Sequence, residues 1–123
     1  SPYVEKVYYP GLESMGKDHE VAKRQMNGLY TGMISFVLKD RIHGMSAFDA
    51  AKKLMDSMKI PAIAVSLGDP DTLIQHPASM THVKVPRDVR EAVGITDGML
   101  RFSVGLEDAE DLIADFDQAF AAL

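Results

Sequence analysis

In the stretch Met99-Leu100-Arg101-Phe102-Ser103-Val104 a two-residue period places Leu100, Phe102 and Val104 on one face and Arg101 and Ser103 on the other. That is the pattern of a strand with one face in a core. The period then changes. From about Glu107 to Leu123, the residues Ala109, Leu112, Ile113, Phe116, Phe120 and Leu123 recur at helical spacing and predict an amphipathic helix that buries this stripe. Glu107, Asp108, Glu110 and Asp111 gather in its first turn, where the helix dipole favours negative charge, and read as a solvated face. A strand feeding a helix in this way belongs to a sheet covered on one face by helices, with Arg101 pointing away from the helix-packed side.

Upstream, strand-like and helix-like patterns alternate with short punctuation. Asp18 is a candidate N-cap for a helix running to about Gly28, with Ala22, Met26 and Leu29 on one stripe. Met33-Ile34-Ser35-Phe36-Val37-Leu38 reads as a strand, apolar enough to be covered on both faces. Gly44 and Ser46 open a second helix, in which Ser46 and Asp49 can form a capping box. Its buried stripe is Ala47, Phe48, Ala51, Leu54, Met55 and Met58. Pro61 ends that register, and Ala62-Ile63-Ala64-Val65-Ser66 returns as a strand stopped by Gly68-Asp69-Pro70. Met80 to Val85 is the next strand candidate; Pro86 sits at an N1 position and Gly94 at the C′ stop of a short helix. No repeat or linker divides the chain, so the expectation is one α+β domain over residues 1–123.

Composition excludes several classes. With 123 residues the chain can bury a real core without disulfide or metal staples. The balance of 13 basic against 18 acidic residues, without a basic cluster, argues against a nucleic-acid or anionic-membrane surface. The absence of cysteine removes disulfides, a thiolate nucleophile and cysteine-based metal sites. No apolar run approaches the length of about 20 residues that crosses a bilayer. The opening Ser1-Pro2-Tyr3-Val4-Glu5-Lys6-Val7 lacks an initiator Met and the order of a signal peptide, and reads as a cut or processed end.

The motifs for common chemistry are also missing. His19, His43, His76 and His82 have no i, i+4 or His-x-His spacing, so no metal site is expected. His76, before Pro77, reads as a loop or helix-end residue bonded to backbone. Asp69-Pro70-Asp71 lacks the further ligands of a calcium loop and reads as a turn. Gly94, Gly98 and Gly105 do not form a dinucleotide fingerprint, and there is neither a phosphate loop nor a Gly-x-Ser-x-Gly elbow. What remains is Arg101 in an otherwise apolar strand. Its guanidinium must find an anion or be stranded, and two readings remain open: a structural one, as a salt bridge or an edge-facing Arg, or the carboxylate of a ligand held in bidentate geometry.

Several longer motifs occur together: Val65-Ser66-Leu67-Gly68-Asp69, His76-Pro77-Ala78-Ser79-Met80-Thr81-His82, Gly94-Ile95-Thr96-Asp97-Gly98, and Arg101-Phe102-Ser103-Val104-Gly105-Leu106-Glu107-Asp108. With Tyr9-Pro10-Gly11-Leu12 and Gly32-Met33-Ile34-Ser35-Phe36 upstream, the chain resembles the C-terminal domain of the pyridoxal-phosphate-dependent enzymes of cysteine and methionine metabolism. That family includes methionine γ-lyase, cystathionine γ-lyase, cystathionine γ-synthase and the homoserine-ester sulfhydrylases.

The resemblance implies the small C-terminal domain of the aspartate-aminotransferase-like fold, mainly an antiparallel sheet with helices on one face. It implies that Arg101 clamps a substrate α-carboxylate, that Ser66 and the Leu67 backbone hold the same end, and that Thr81 supports the clamp. A fixed carboxylate decides which bond at Cα stands perpendicular to the cofactor ring, and so which bond breaks. Val65 before the motif Ser, and Gly68-Asp69 after it, tilt the resemblance toward a methionine γ-lyase-like parent releasing thiol, ammonia and a 2-oxo acid. A cystathionine- or homoserine-ester-handling parent, and a non-catalytic amino-acid-binding module, stand as alternatives. The implied pyridoxal phosphate, its Schiff-base lysine and the catalytic residues belong to an N-terminal domain absent from this chain, which alone is expected to be inactive. The implied partners are that domain, a sulfur amino acid and further copies in a cytoplasmic homotetramer, with neither nucleic acid nor membrane.

Overall fold

The computed structural model describes Ser1–Leu123. Seven strands and four α-helices follow one another as β1 (Val4–Tyr8), α1 (Lys17–Met26), β2 (Met33–Leu38), β3 (Arg41–Ile42), β4 (Met45–Ser46), α2 (Ala47–Ser57), β5 (Ala62–Ile63), β6 (Leu73–Gln75), α3 (Arg87–Ala92), β7 (Met99–Ser103) and α4 (Ala109–Ala121). A five-stranded sheet has the order β1-β2-β7-β6-β5, antiparallel except where β5 runs parallel to β6, and β3-β4 is a separate hairpin.

Register explains the two faces. Phe36 pairs with Leu100, and Ile34, Phe102 and Ile74 line up across β2, β7 and β6. These residues with Leu38 form one core with Ala50, Ala51, Leu54 and Met55 of α2 and Leu112 and Ala119 of α4. The other face carries Ser35, Arg101 and Gln75 in one row. Val37 and Leu73 on that face are buried too, so β2 is partly covered on both sides as its apolarity predicts. The expected fold class and the outward direction of Arg101 both hold.

Local signals act as expected at α2, where the Ser46 hydroxyl accepts from the Asp49 N–H at 3.1 Å and donates to its carboxylate at 2.7 Å. Gly94, at φ +86°, follows the Val93 C-cap of α3. Pro86 is the N-cap of α3, one residue before the expected N1 position. At α1 the N-cap is Gly16 instead of Asp18, which lies inside the first turn.

Three expectations are corrected. Met80–Val85 is not a strand: the N–H groups of Met80 and His82 both bond back to Pro77 O, at 3.3 and 2.8 Å, and coil the segment into turns. The strand lies earlier, at β6, inside the wholly buried run Thr72–Ala78. Leu29 is 81% exposed, because the left-handed Asn27 and Gly28 end α1 before its stripe reaches that residue. On α4, Ala109 is exposed and Ile113 is 61% exposed, while Phe116, Phe120 and Leu123 are half-buried. An open apolar cleft of about 400 Å³ lies along this side of α4, lined by Ile34, Phe102, Val104, Ala109, Ile113 and Phe116. The predicted strand 62–66 is short, with ladder pairing at Ala62–Ile63 and one further bond from Ala64 N–H to Ile74 O.

Candidate substrate-carboxylate site

Beyond Ala64 the chain leaves the sheet edge and crosses the polar face beside Arg101. The N–H groups of Val65, Ser66 and Leu67 make no hydrogen bond within the chain. Gly68 N–H is tied to the buried Ser103 Oγ at 3.2 Å, which anchors the loop to β7. Arg101 Nη2 donates to the carbonyls of Val65 and Ser66, each at 2.9 Å. Gln75, buried in the adjacent position of β6, faces the guanidinium with its amide; the orientation that suits the cation turns the oxygen toward it, at 2.9 Å from Nε, 3.1 Å from Nη1 and 3.2 Å from Nη2. Near-equal distances to all three nitrogens put this oxygen over the flat face of the guanidinium, a charge–dipole contact.

All of these partners are neutral oxygens, and no carboxylate pairs with Arg101. A cation held this way keeps its full charge, and its Nε and Nη1 have no acceptor in the plane of the fork. With neutral partners only, the guanidinium is free to take up a carboxylate. The Ser66 and Leu67 N–H groups, antiparallel to the Val65 and Ser66 carbonyls that Nη2 engages, point away from that nitrogen. The salt-bridge alternative for Arg101 is absent from the structure.

The sequence-predicted residues are only partly brought together. Arg101, Val65 and Ser66 converge through backbone carbonyls, with the Val65 side chain 54% exposed. Leu67 follows on the same loop with its side chain exposed. Thr81 does not touch Arg101: its hydroxyl is exposed and pairs with His82 Nδ1 at 2.8 Å. Gln75 is not legible in the sequence: Thr72-Leu73-Ile74-Gln75 shows no two-residue alternation, and only the β6–β7 register sets its amide opposite Arg101.

A clasp fixes the far end of the loop. Thr72 donates to Glu107 through its N–H at 2.8 Å and its hydroxyl at 2.6 Å, and accepts from Gly105 N–H at 2.8 Å. These hydrogen bonds hold the Glu107 carboxyl below its ordinary range. Glu107 is therefore a structural acceptor instead of part of a solvated helix face, and Asp108 is the N-cap of α4, its Oδ1 accepting from Glu110 N–H at 2.8 Å. Asp69 and Asp71 form the expected turn, with Asp71 N–H on Asp69 Oδ1 at 3.1 Å.

Behind the site, His76 is buried, with Nε2 on Asp97 O at 2.7 Å and Nδ1 on Ser79 Oγ at 2.9 Å, in line with its reading as a backbone-bonded residue. Burial lowers its pKa, partly offset by Asp97. Asp97 also receives the buried Arg90 at 2.6 Å and the exposed Arg87 at 3.0 Å.

A family model described as Cys/Met metabolism PLP-dependent enzyme matches residues 1–121. The chain belongs to this family. It is 54% identical over 117 residues to an L-methionine gamma-lyase of Fusobacterium nucleatum subsp. polymorphum, covering 95% of this chain and 28% of that protein. It is 48% identical over 121 residues to the cystathionine gamma-lyase of Sus scrofa, covering 98% of this chain and 28% of that protein. Among solved structures, the cystathionine gamma-lyase of Lactobacillus plantarum complexed with L-serine superposes with a TM-score of 0.84 at 40% identity, covering 98% of this chain and 29% of that one. The chain thus spans somewhat over a quarter of the length of these relatives.

The family's cofactor does not fit the residues present. An aldehyde cofactor needs a lysine that can lose its proton in a sheltered pocket, and all eight lysines here are exposed. No chemical step is therefore assigned to pyridoxal phosphate within this chain. No three histidine or carboxylate side chains converge as a metal site, and no helix is long and apolar enough to cross a membrane.

Proposed function

We propose that residues 1–123 form the C-terminal, substrate-carboxylate-binding domain of a pyridoxal-phosphate-dependent carbon–sulfur lyase. The observation that carries this reading is Arg101, presented on a strand with neutral partners only. Arg101 binds the α-carboxylate of an amino acid, with Ser66 and the Leu67 backbone completing its cradle; Thr81, bonded to His82 instead, takes no part in it. The cofactor is carried by the portion of the protein outside this chain, and within a homo-oligomer, a tetramer, that portion closes against the Arg101 face. The 123-residue chain alone is inactive.

The substrate is a thioether amino acid, methionine in preference to cystathionine. Support comes from the 54% identity to a methionine γ-lyase and from Val65, whose exposed apolar side chain flanks the carbonyl that Arg101 engages. With methionine the products are a thiol, ammonia and a 2-oxo acid. The test is turnover by the protein purified from its source. A native polypeptide several-fold longer than 123 residues, carrying pyridoxal phosphate and releasing 2-oxo acid from methionine, is expected. A parent preferring cystathionine overturns the substrate, and a native product starting at Ser1 overturns the lyase in favour of an amino-acid-binding module.

A further inference from the structure

The proposed clamp depends on how the guanidinium is aimed, and Arg101 has no carboxylate to aim it. We infer that Gln75 is the positioning residue for Arg101, setting the plane of its guanidinium while leaving its charge for the ligand; this rests on the reading of Arg101 as a carboxylate clamp. Gln75 stands directly across the β6–β7 ladder from Arg101 and is only 3% exposed. Its oxygen lies over the guanidinium face at 2.9–3.2 Å from the three nitrogens. An arginine otherwise has several soft torsions, and the Val65 and Ser66 carbonyls restrain only Nη2. A contact on the flat face adds a second restraint without using the in-plane hydrogens on Nε and Nη1.

The chemistry of the residue type is specific here. A glutamate at position 75 would keep the acceptor but add a charge, so Arg101 would spend its field on an internal pair and bind an external anion more weakly. A methionine would keep the length and apolar stem but lose the dipole. Specificity for a carboxylate over an uncharged group thus depends on an amide at position 75, a charge-neutral anchor beneath a charged fork.

The test is calorimetric titration of the full-length protein with a short thioether carboxylic acid that lacks the α-amino group, so that it cannot react with an aldehyde, and with the matching carboxamide. Gln75→Met and Gln75→Glu should each weaken the acid by about three- to tenfold, the range of a modest net polar contact. Carboxamide binding should stay within about twofold, which reports an intact pocket and removes misfolding as an explanation. If Arg101→Ala loses the acid but both Gln75 variants bind it like the parent, the positioning role is overturned. If Arg101→Ala itself binds the acid like the parent, the clamp reading fails first. Equal weakening of acid and carboxamide in the Gln75 variants would also overturn the inference, because it marks a general structural role.

Discussion

Gly105 is the position where a single methyl group should open the site loop. A Cβ there would meet three backbone atoms: Pro70 O in hard overlap, and Asp71 C and Thr72 N both at 2.6 Å. None belongs to a flexible side chain, and Gly105 N–H is itself bound to Thr72 Oγ1, with Leu106 N–H on Pro70 O at 2.8 Å. The strands cannot part without breaking this clasp. Overpacking against rigid surroundings costs about 1–3 kcal/mol, and leaving the buried Thr72 hydroxyl without its donor costs about 1–3 kcal/mol. Gly105→Ala should therefore lose about 2–4 kcal/mol by whichever route relaxes it. At about 2.1 cal/mol/K per residue, 123 residues give an unfolding entropy near 260 cal/mol/K, so Tm should fall by about 8–15 °C. Thermal unfolding followed by circular dichroism measures this directly. Gly16→Ala is the contrast: a Cβ there meets nothing, and only the backbone conformation, φ +58° with ψ −120°, is unfavourable, so the cost is about 1–3 kcal/mol with no packing term. A Gly105→Ala protein melting within about 2 °C of the parent would refute the packing argument.

His76 has a lowered pKa through burial, so its neutral form is favoured by folding. Its contribution is complete above the unfolded value of about 6.5 and is lost as pH falls below that toward the folded value, where the unfolded state binds the extra proton. The slope of stability against pH between about 5 and 6.5 should flatten in His76→Gln, measured by urea titration; an unchanged slope would show that His76 protonates freely in the fold. Glu107 acts further into acid: its stabilisation is present above the ordinary carboxylate pKa and fades as pH falls through the lowered folded value. Thr72→Val should remove that acid-side dependence, and a persisting dependence would assign it to another group. Asp115 is buried and caps the turn after α2, accepting from Lys59 N–H at 2.9 and 3.0 Å, Ile60 N–H at 2.9 Å and Gln118 at 2.9 Å. Asp115→Ala strands two backbone donors and should cost about 2–4 kcal/mol in chemical denaturation, against less than about 1 kcal/mol for the exposed Ile113→Ala.

The parts of the fold legible in the sequence are those where period and punctuation agree. The alternation in β7 places Leu100 and Phe102 in the core and Arg101 outside it, and Ser46 with Asp49 caps α2 as the residue types dictate. The misreadings have two causes: a deciding partner far away in sequence, or a local turn that takes the backbone N–H groups before a ladder can. Three-residue β6 carries too few positions for a period, and its strand state is set by β7 and β5 on either side. Met80–Val85 has strand-like composition, but Pro77 O captures its N–H groups first. β1 and the β3-β4 hairpin likewise take their conformation from pairing. Apolar periodicity marks which residues of α4 share a face, yet not that the face stands over a cleft. At the site, Arg101 stood out because a charge in an apolar strand demands a partner. Gln75 did not, since an amide in a buried run has no pattern of its own until register sets it against Arg101.

The central claim is that Arg101 receives the substrate carboxylate, and the most direct measurement is kcat/KM for methionine in the full-length protein with and without Arg101→Ala. Truncating one partner of a hydrogen-bonded charge pair costs about 2–5 kcal/mol, so the account predicts a fall of about thirtyfold to several thousandfold. The account would be contradicted by a variant that retains kcat/KM within a few-fold of the parent while remaining folded.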